Sequence, residues 1–297
     1  MNEFFPCERK KMGKGTRAMT IITGVVMDVA GGTLRRIPEH LANLRIPPAW
    51  TNVTVCLDPD AKCYAMGNDI KGRQCRLYSS HHTKTASTAK FDKVAKLLKV
   101  AHKIQSKLEK DTRKAKCTDT QVVAYLIFEM GLRPGSNTDT LADKKAYGAT
   151  TLLAKHVKVM ASGTVYLKFT GKKGVAISQK VRNPWLADML RYKKAKTEGR
   201  YTTPLFDTNP GKLNAYVKTL NPGLNPKDLR TLKATVIATE FMEGKRIPKV
   251  KSKAKLMLKK LFTAVSAILG NTNAVVKKSY VSPEIYQPLT DVIGIKP

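Results

Sequence analysis

The apolar residues of this chain change their spacing near residue 90, and that change constrains the fold more than any other feature. Before it they come in short runs closed by turn formers. Thr54-Val55-Cys56-Leu57 stops at Asp58-Pro59-Asp60, and Lys62-Cys63-Tyr64-Ala65-Met66 stops at Gly67-Asn68-Asp69. Cys75-Arg76-Leu77-Tyr78 follows Lys71-Gly72-Arg73. Runs of this length and punctuation describe a small antiparallel sheet. A short helix is expected at 38–44. After residue 90, Phe91, Val94, Leu97, Leu98, Ala101, Ile104 and Leu108 recur at helical steps, so one face is apolar. The polar stretch between, 79–90, is the expected boundary, with a linker at 81–90. Residues 1–20 are basic and aperiodic and are expected to be an arm without regular structure. The expected fold is therefore α+β, with a small β-rich domain at 21–80 and a larger, mainly helical domain at 91–297.

Within the larger domain a second helix starts at Thr118-Asp119 and runs through Val122–Met130 to Gly131. The texture then returns to β at 156–160, 164–170 and 175–179. Gly171-Lys172-Lys173-Gly174 forms the turn of the last hairpin. Helices are expected near 185–195, 211–219, 228–243 and 254–269. The last two close at Gly244 and Gly270, as helix C-termini often do. No internal repeat is visible.

Lys and Arg number 54 against 22 Asp and Glu, a net charge of +32 on a chain that is 42% hydrophobic. A disordered basic tail would lack the apolar share. A folded surface this basic seeks polyanions. Other classes drop out. No apolar run approaches the ~20 residues that span a bilayer. Met1–Lys14 is charged from Glu3 on and does not read as a signal peptide. The five cysteines (Cys7, Cys56, Cys63, Cys75, Cys117) show no C-x-x-C spacing, and free thiols in a reducing cytosol are expected. There is no complete phosphate-binding G-x-x-x-x-G-K-[ST] loop and no H-E-x-x-H. Neither ATP-driven chemistry, nor a catalytic metal, nor another cofactor is expected.

Four places carry candidate chemistry. Arg133 follows directly on an apolar helix end in Gly131-Leu132-Arg133-Pro134-Gly135-Ser136. Lys172 sits in the hairpin turn. Arg230 lies in Lys227-Asp228-Leu229-Arg230-Thr231, in the first turn of an apolar helix. Leu269-Gly270-Asn271-Thr272 is followed by Lys277-Lys278-Ser279-Tyr280-Val281-Ser282-Pro283. Taken singly, each is ordinary. In this order and spacing they resemble the type IB DNA topoisomerases, most of all the small bacterial and poxvirus-like branch. Leu44-Arg45-Ile46-Pro47-Pro48-Ala49-Trp50-Thr51-Asn52-Val53 is similar to that branch's N-terminal signature. Lys71-Gly72-Arg73 with Tyr78 is similar to its DNA-facing strand, although Cys75 stands where relatives tend to carry Tyr. Tyr147-Gly148-Ala149-Thr150-Thr151-Leu152 is similar to the segment after the first catalytic Arg. The resemblance covers roughly residues 32–285.

The resemblance implies Tyr280 as nucleophile, Arg133 and Arg230 as phosphate clamps and Lys172 as general acid. Asn271 falls where poxvirus enzymes carry His. An amide can donate a hydrogen bond but cannot be the proton donor. Chemistry independent of the resemblance suits these roles. Cutting a strand reversibly without ATP requires the phosphodiester's energy to stay in a covalent bond, which a phosphotyrosyl ester provides. Guanidinium groups suit the non-bridging oxygens of a pentacoordinate transition state. A lysine can protonate the leaving 5′ oxygen. Tyr286 is the internal rival for the nucleophile and Lys173 for the acid. None of His40, His81, His82, His102 and His156 fits the frame.

Duplex DNA is the expected partner, enclosed by a monomeric clamp, with Lys71, Arg73, Arg76, Tyr78, Lys93, Lys96, Lys173, Lys277 and Lys278 as contacts and no membrane involved. The expected location is the cytoplasm, associated with the nucleoid, or a virion or host compartment for a viral gene. Two alternatives stay open. One is a tyrosine recombinase, which usually has His shortly before the second Arg, where Lys227-Asp228 stand here. The other is a non-catalytic basic DNA-binding protein.

Overall fold

The computed structural model describes residues 3–13, 19–26, 33–34, 36–114, 116–136, 140 and 145–295, leaving aside the side chains of Leu34 and Lys173. The chain divides into two compact units, Met1–Lys90 and Phe91–Pro297.

The first unit is an antiparallel sheet. Its strands are β1 (Phe5–Met12), β2 (Met19–Val26), β3 (Thr33–Leu34), β4 (Thr51–Val55), β5 (Cys63–Asn68) and β6 (Gln74–Tyr78), in the order β3-β2-β1-β4-β5-β6. The expected turns join the last three strands. Asp58 Oδ1 accepts from the Asp60 N–H at 2.9 Å, and Asp69 Oδ1 accepts from the Lys71 and Arg73 N–H groups at 2.9 and 3.0 Å. These are Asx turns, the local reason Asp ends a strand. The expected helix at 38–44 is the single turn α1 (Glu39–Ala42). Its Leu41 is buried in a core with Ile22, Val25, Ile46, Trp50, Val53, Val55 and Ala65.

Two expectations are corrected. Residues 5–12 are not an unstructured arm; they form β1, paired with β2 and β4. Phe5 and Cys7 face the core, and Arg9 satisfies part of its guanidinium on the Trp50 carbonyl at 2.9 Å. The stretch 81–90 is not an open linker. It lies in helix α2 (Ser80–Leu98), which starts where the Ser79 hydroxyl accepts from the His82 N–H at 3.1 Å.

In the second unit the periodic stretch from Phe91 to Leu108 is two helices, α2 and α3 (Ala101–Thr112), divided at Val100. Helix α4 (Asp119–Met130) is the centre of the core. It begins with a Thr118–Gln121 capping box and buries Val122 through Phe128. The insert is a three-stranded sheet of β7 (Val157–Val159), β8 (Thr164–Thr170) and β9 (Ala176–Arg182), with β8 central. Val165, Leu167 and Phe169 of β8 face the core. Then come α5 (Pro184–Ala195), α6 (Pro210–Leu220), α7 (Pro226–Met242) and α8 (Lys251–Leu269). Two short helices, α9 (Asn273–Ser279) and α10 (Pro283–Ile293), follow α8 and are not among the expected elements.

One close backbone approach shapes the loop after α4. A Cβ on Gly148 would lie 2.5 Å from the Cα and N of Gly135. The same stretch holds the Arg133 loop by main-chain bonds, Ala149 N–H to Arg133 O and Thr150 N–H to Pro134 O, both 2.8 Å. Gly148→Ala should therefore push the two segments apart and destabilise the fold by about 1–3 kcal/mol, as overpacking does. Chemical denaturation checks this; a loss within about 0.5 kcal/mol, typical of surface sites, would show that the approach is not tight.

Candidate active site

Among the described residues Arg230 is the most buried charged side chain of the second unit, only 3% exposed. It is the fifth residue of α7, one turn in rather than in the expected first turn, because the helix starts at Pro226, where a reciprocal cap fixes it. Asn225 Oδ1 accepts from the Asp228 N–H and Asp228 Oδ2 from the Asn225 N–H, both at 3.0 Å. The guanidinium donates through Nη1 to the Gly131 carbonyl and through Nη2 to the Leu269 carbonyl, the latter at 2.7 Å. Gly131 caps the C-terminus of α4 and Leu269 is the last residue of α8. Carbonyls at helix C-termini lack intrahelical donors and carry the negative end of the helix dipole. Two such ends therefore hold one cation. Burial pulls the Arg230 pKa down, and nearby Arg133 adds to this while Tyr280 opposes it. Nε of Arg230 is buried without a partner.

The α8 terminus also places Asn271. Gly270 takes the left-handed conformation at φ 60° that favours glycine, and Thr272 caps α9 with its hydroxyl accepting from the Val275 N–H at 3.3 Å. Asn271 is fixed between these caps. Its Oδ1 accepts from Arg133 Nη2 at 3.1 Å, while its Nδ2 is buried with no hydrogen-bond partner of normal geometry.

Tyr280 ends α9, with its N–H bonded to Val276 O at 3.0 Å and its ring 5% exposed. The Arg230 guanidinium carbon lies 5.2 Å from the ring centroid. Burial alone would raise the phenol's pKa. The charges of Arg230 and Arg133, with polar contacts from Arg230 and Asn271, outweigh it, and the net direction is down.

Lys172 opens the hairpin turn between β8 and β9, which is closed by Gly171 N–H to Val175 O at 2.7 Å. Its side chain is exposed. Lys172, Arg133, Arg230 and Tyr280 all line one cleft of about 360 Å³. Lys227 and Tyr147 line it too, and neither stood out in the sequence as a site residue. Lys227 was legible only as part of the Arg230 motif. Tyr147 is brought there by its N–H bond to Thr170 O at 2.8 Å.

Of the two rivals, Tyr286 is described in full. Tyr286 is 2% exposed, packs edge-on to Phe262 at 5.2 Å, and has its pKa raised by burial. The Lys173 side chain lies outside the described residues. His156 is a structural histidine. Burial, with the charge of Lys155, lowers its pKa to about 4, its Nδ1 accepts from the Leu153 N–H at 3.1 Å, and its ring meets Tyr147 at 4.4 Å.

The expected DNA contacts fall into three groups. Lys71, Arg73, Arg76 and Tyr78 share the β5–β6 hairpin of the first unit. There Arg73 pairs with Asp69 at 2.6 Å, Arg76 donates to Gln74 Oε1 at 2.7 Å, and Tyr78 is 48% exposed. Lys96 and Lys278 are exposed in the second unit. Lys93 and Lys277 are engaged within the protein. Lys93 binds Asp228 at 2.5 Å and so braces the cap of the Arg230 helix, and Lys277 lies 5.7 Å from the Tyr286 ring centroid. A further run of exposed cations, Arg246, Lys249, Lys251, Lys253 and Lys255, leads into and along α8.

Known proteins resemble this chain along most of its length. The family profile described as eukaryotic DNA topoisomerase I, catalytic core, matches residues 79–293. The profile for the bacterial DNA topoisomerase IB N-terminal domain matches residues 30–69. A DNA topoisomerase 1B of Acanthamoeba polyphaga mimivirus is 28% identical over 269 residues, covering 84% of this chain and 80% of the relative. A DNA topoisomerase 1 of Daucus carota is 29% identical over 138 residues, covering 46% of this chain and 17% of the relative.

The acidified phenol is directly measurable. Titration by tyrosinate absorbance should show a component below the ordinary value of ~10 that is missing in Tyr280→Phe and moves up in Arg133→Gln. A wild-type curve identical to that of Tyr280→Phe would remove the electrostatic account of the nucleophile.

Proposed function

The chain belongs to the type IB DNA topoisomerase family, and from that premise we propose how its own residues carry out the reaction. The protein is a DNA topoisomerase. In our reading it relaxes supercoiled duplex DNA by cutting one strand, letting it swivel and resealing it, through a 3′-phosphotyrosyl intermediate. One observation carries the reading. Arg133, Lys172, Arg230 and Tyr280 line a single cleft, and the phenol there is acidified by the two guanidinium groups.

In this mechanism the Tyr280 phenol releases its proton to solvent and the phenolate oxygen attacks phosphorus. Charge builds on the non-bridging oxygens as the P–O bond to the 5′ oxygen breaks. Arg133 and Arg230 stabilise that charge, and the buried Nδ2 of Asn271, which makes no hydrogen bond of normal geometry within the protein, is a third donor. Arg230 needs no reorganisation, because two backbone carbonyls hold it before substrate arrives. The Lys172 ammonium gives a proton to the leaving 5′ oxygen. Religation reverses each step: the 5′ hydroxyl loses its proton to Lys172 and displaces Tyr280. The ester conserves the bond energy, so the cycle needs no ATP. The fixed guanidinium charges supply the stabilisation that a metal ion would otherwise give.

We take the substrate to be duplex DNA, bound by a monomer and gripped through its phosphates by exposed lysines and arginines. Among the described residues no helix is long and apolar enough to cross a membrane. The protein would act wherever duplex DNA is held, in the nucleoid of a cell or in a virion or host compartment.

Plasmid relaxation in EDTA without ATP tests the reaction. The wild type should relax, and Tyr280→Phe should bind DNA but neither relax it nor form a covalent complex on denaturing gels. Residual relaxation by that variant would sink the assignment. The grip is tested by salt. The logarithm of affinity should fall linearly with the logarithm of salt between ~50 and ~200 mM, and replacing Lys249, Lys251 and Lys253 by Gln should flatten the slope by about 0.9 for each phosphate that is no longer neutralised. An unchanged slope would remove those lysines from the DNA-binding surface.

A further inference from the structure

Lys172 stands on an exposed turn, yet a general acid must meet the leaving oxygen while Arg230 and Asn271 hold the phosphate. Something must tie the hairpin to the segment carrying those groups. Along β9 the side chains alternate, with Ala176, Ser178 and Lys180 exposed and Ile177, Gln179 and Val181 turned inward. Gln179 lies opposite Leu167 in the β8–β9 register. Its Nε2 donates to the Ile268 carbonyl, next to the Leu269 carbonyl that accepts from Arg230. Gln179 and Arg230 thus hang from consecutive carbonyls at the end of α8, shortly before Asn271. Among the described residues this is the one side-chain hydrogen bond between the hairpin and that segment. Beside it Ile177 packs close to Gly270, where a Cβ would come within 3.1 Å of its Cδ1.

A second observation joins the two side chains. Gln179 Oε1 and Arg230 Nε are both buried without a protein partner. Both residues line a small cavity of about 10 Å³, the space of about one water molecule. A buried acceptor and a buried donor on two residues that line such a cavity suit a single bridging water.

We propose that Gln179 is a positioning residue for the general acid: by anchoring β9 to the end of α8 it sets the Lys172 ammonium in register with Arg230 and Asn271. This rests on the reading of Lys172 as proton donor. Gln179 touches no reacting atom in this scheme. It acts through the placement of Lys172, so removing it should impair protonation of the leaving group and leave the nucleophile and the clamp in place.

The test compares cleavage of a DNA strand with the ordinary 5′ oxygen at the scissile bond and of the same strand with sulfur in that bridging position. A thiol, with a pKa of ~8.5, leaves as the anion without a proton donor, whereas an alkoxide does not. Gln179→Met should cut the oxygen substrate about 10- to 100-fold more slowly than wild type and the sulfur substrate at close to the wild-type rate. Lys172→Ala should show the same pattern more strongly. Because one preparation is scored on both substrates, partial loss of folded protein cancels in the ratio. Gln179→Glu, which removes the donor and keeps the length, gives a second reading in case the Met variant does not fold. Equal slowing on both substrates, or no slowing on either, by a Gln179 variant overturns the proposal while Lys172→Ala is still rescued by sulfur. If sulfur fails to rescue Lys172→Ala itself, the proton-donor reading falls, and the proposal with it.

Discussion

The burial of one guanidinium between two helix ends is the interaction on which the catalytic unit depends. Arg230 brings together the C-termini of α4 and α8, distant in sequence, by donating to the Gly131 and Leu269 carbonyls. Removing a buried charged partner leaves both carbonyls desolvated and unpaired, which is among the more damaging changes a core can suffer. The same bonds order the site. The loop after Gly131 carries Arg133, the loop after Leu269 carries Asn271, and the guanidinium itself lies over the Tyr280 ring. Folding of this unit and ordering of the candidate site are therefore one event. The site's electrostatics are set before any phosphate enters, and that is where rate enhancement by fixed charges arises.

The large positive charge divides into parts with different physics. Arg230 and Lys93 are turned inward, the first on backbone carbonyls and the second on Asp228, whose carboxylate also caps the Arg230 helix. These charges stabilise structure. Arg133, Lys172 and Lys227 line the cleft, where a phosphodiester would neutralise them, and Arg230 lines it too and so belongs to both parts. The cations leading into and along α8 are exposed to solvent and suit sequence-independent contacts with a phosphate backbone. A protein that must hold a duplex yet let one strand turn needs such contacts in number, and needs few that lock it to particular bases.

Much of the candidate site could be read from residue order because each of its groups sits in a local frame. Arg133 follows a capped helix end, Lys172 lies in a glycine-bounded hairpin turn, Arg230 is near a helix's start, and Asn271 and Tyr280 flank one short helix. What escaped reading is what tertiary contacts decide. Residues 5–12 are too charged to announce a strand, and β1 exists because β2 and β4 pair with it and Trp50 offers Arg9 a carbonyl. Residues 81–90 have no apolar stripe, and their helix starts from the Ser79 cap. Lys93 read as a DNA contact, and its pairing with Asp228, 135 residues away, is a tertiary contact that no local pattern announces. Gln179 carried no signal at all, since its partner is a backbone carbonyl on a distant helix.

The central claim is that Tyr280 forms the covalent bond to DNA. It is tested most directly by trapping the cleaved complex, digesting protein and DNA, and locating the residual nucleotide by mass spectrometry. The account predicts a 3′-linked nucleotide on the peptide containing Tyr280 and on its phenolic oxygen. A nucleotide on Tyr286 or any other side chain, or a 5′ linkage, would contradict it.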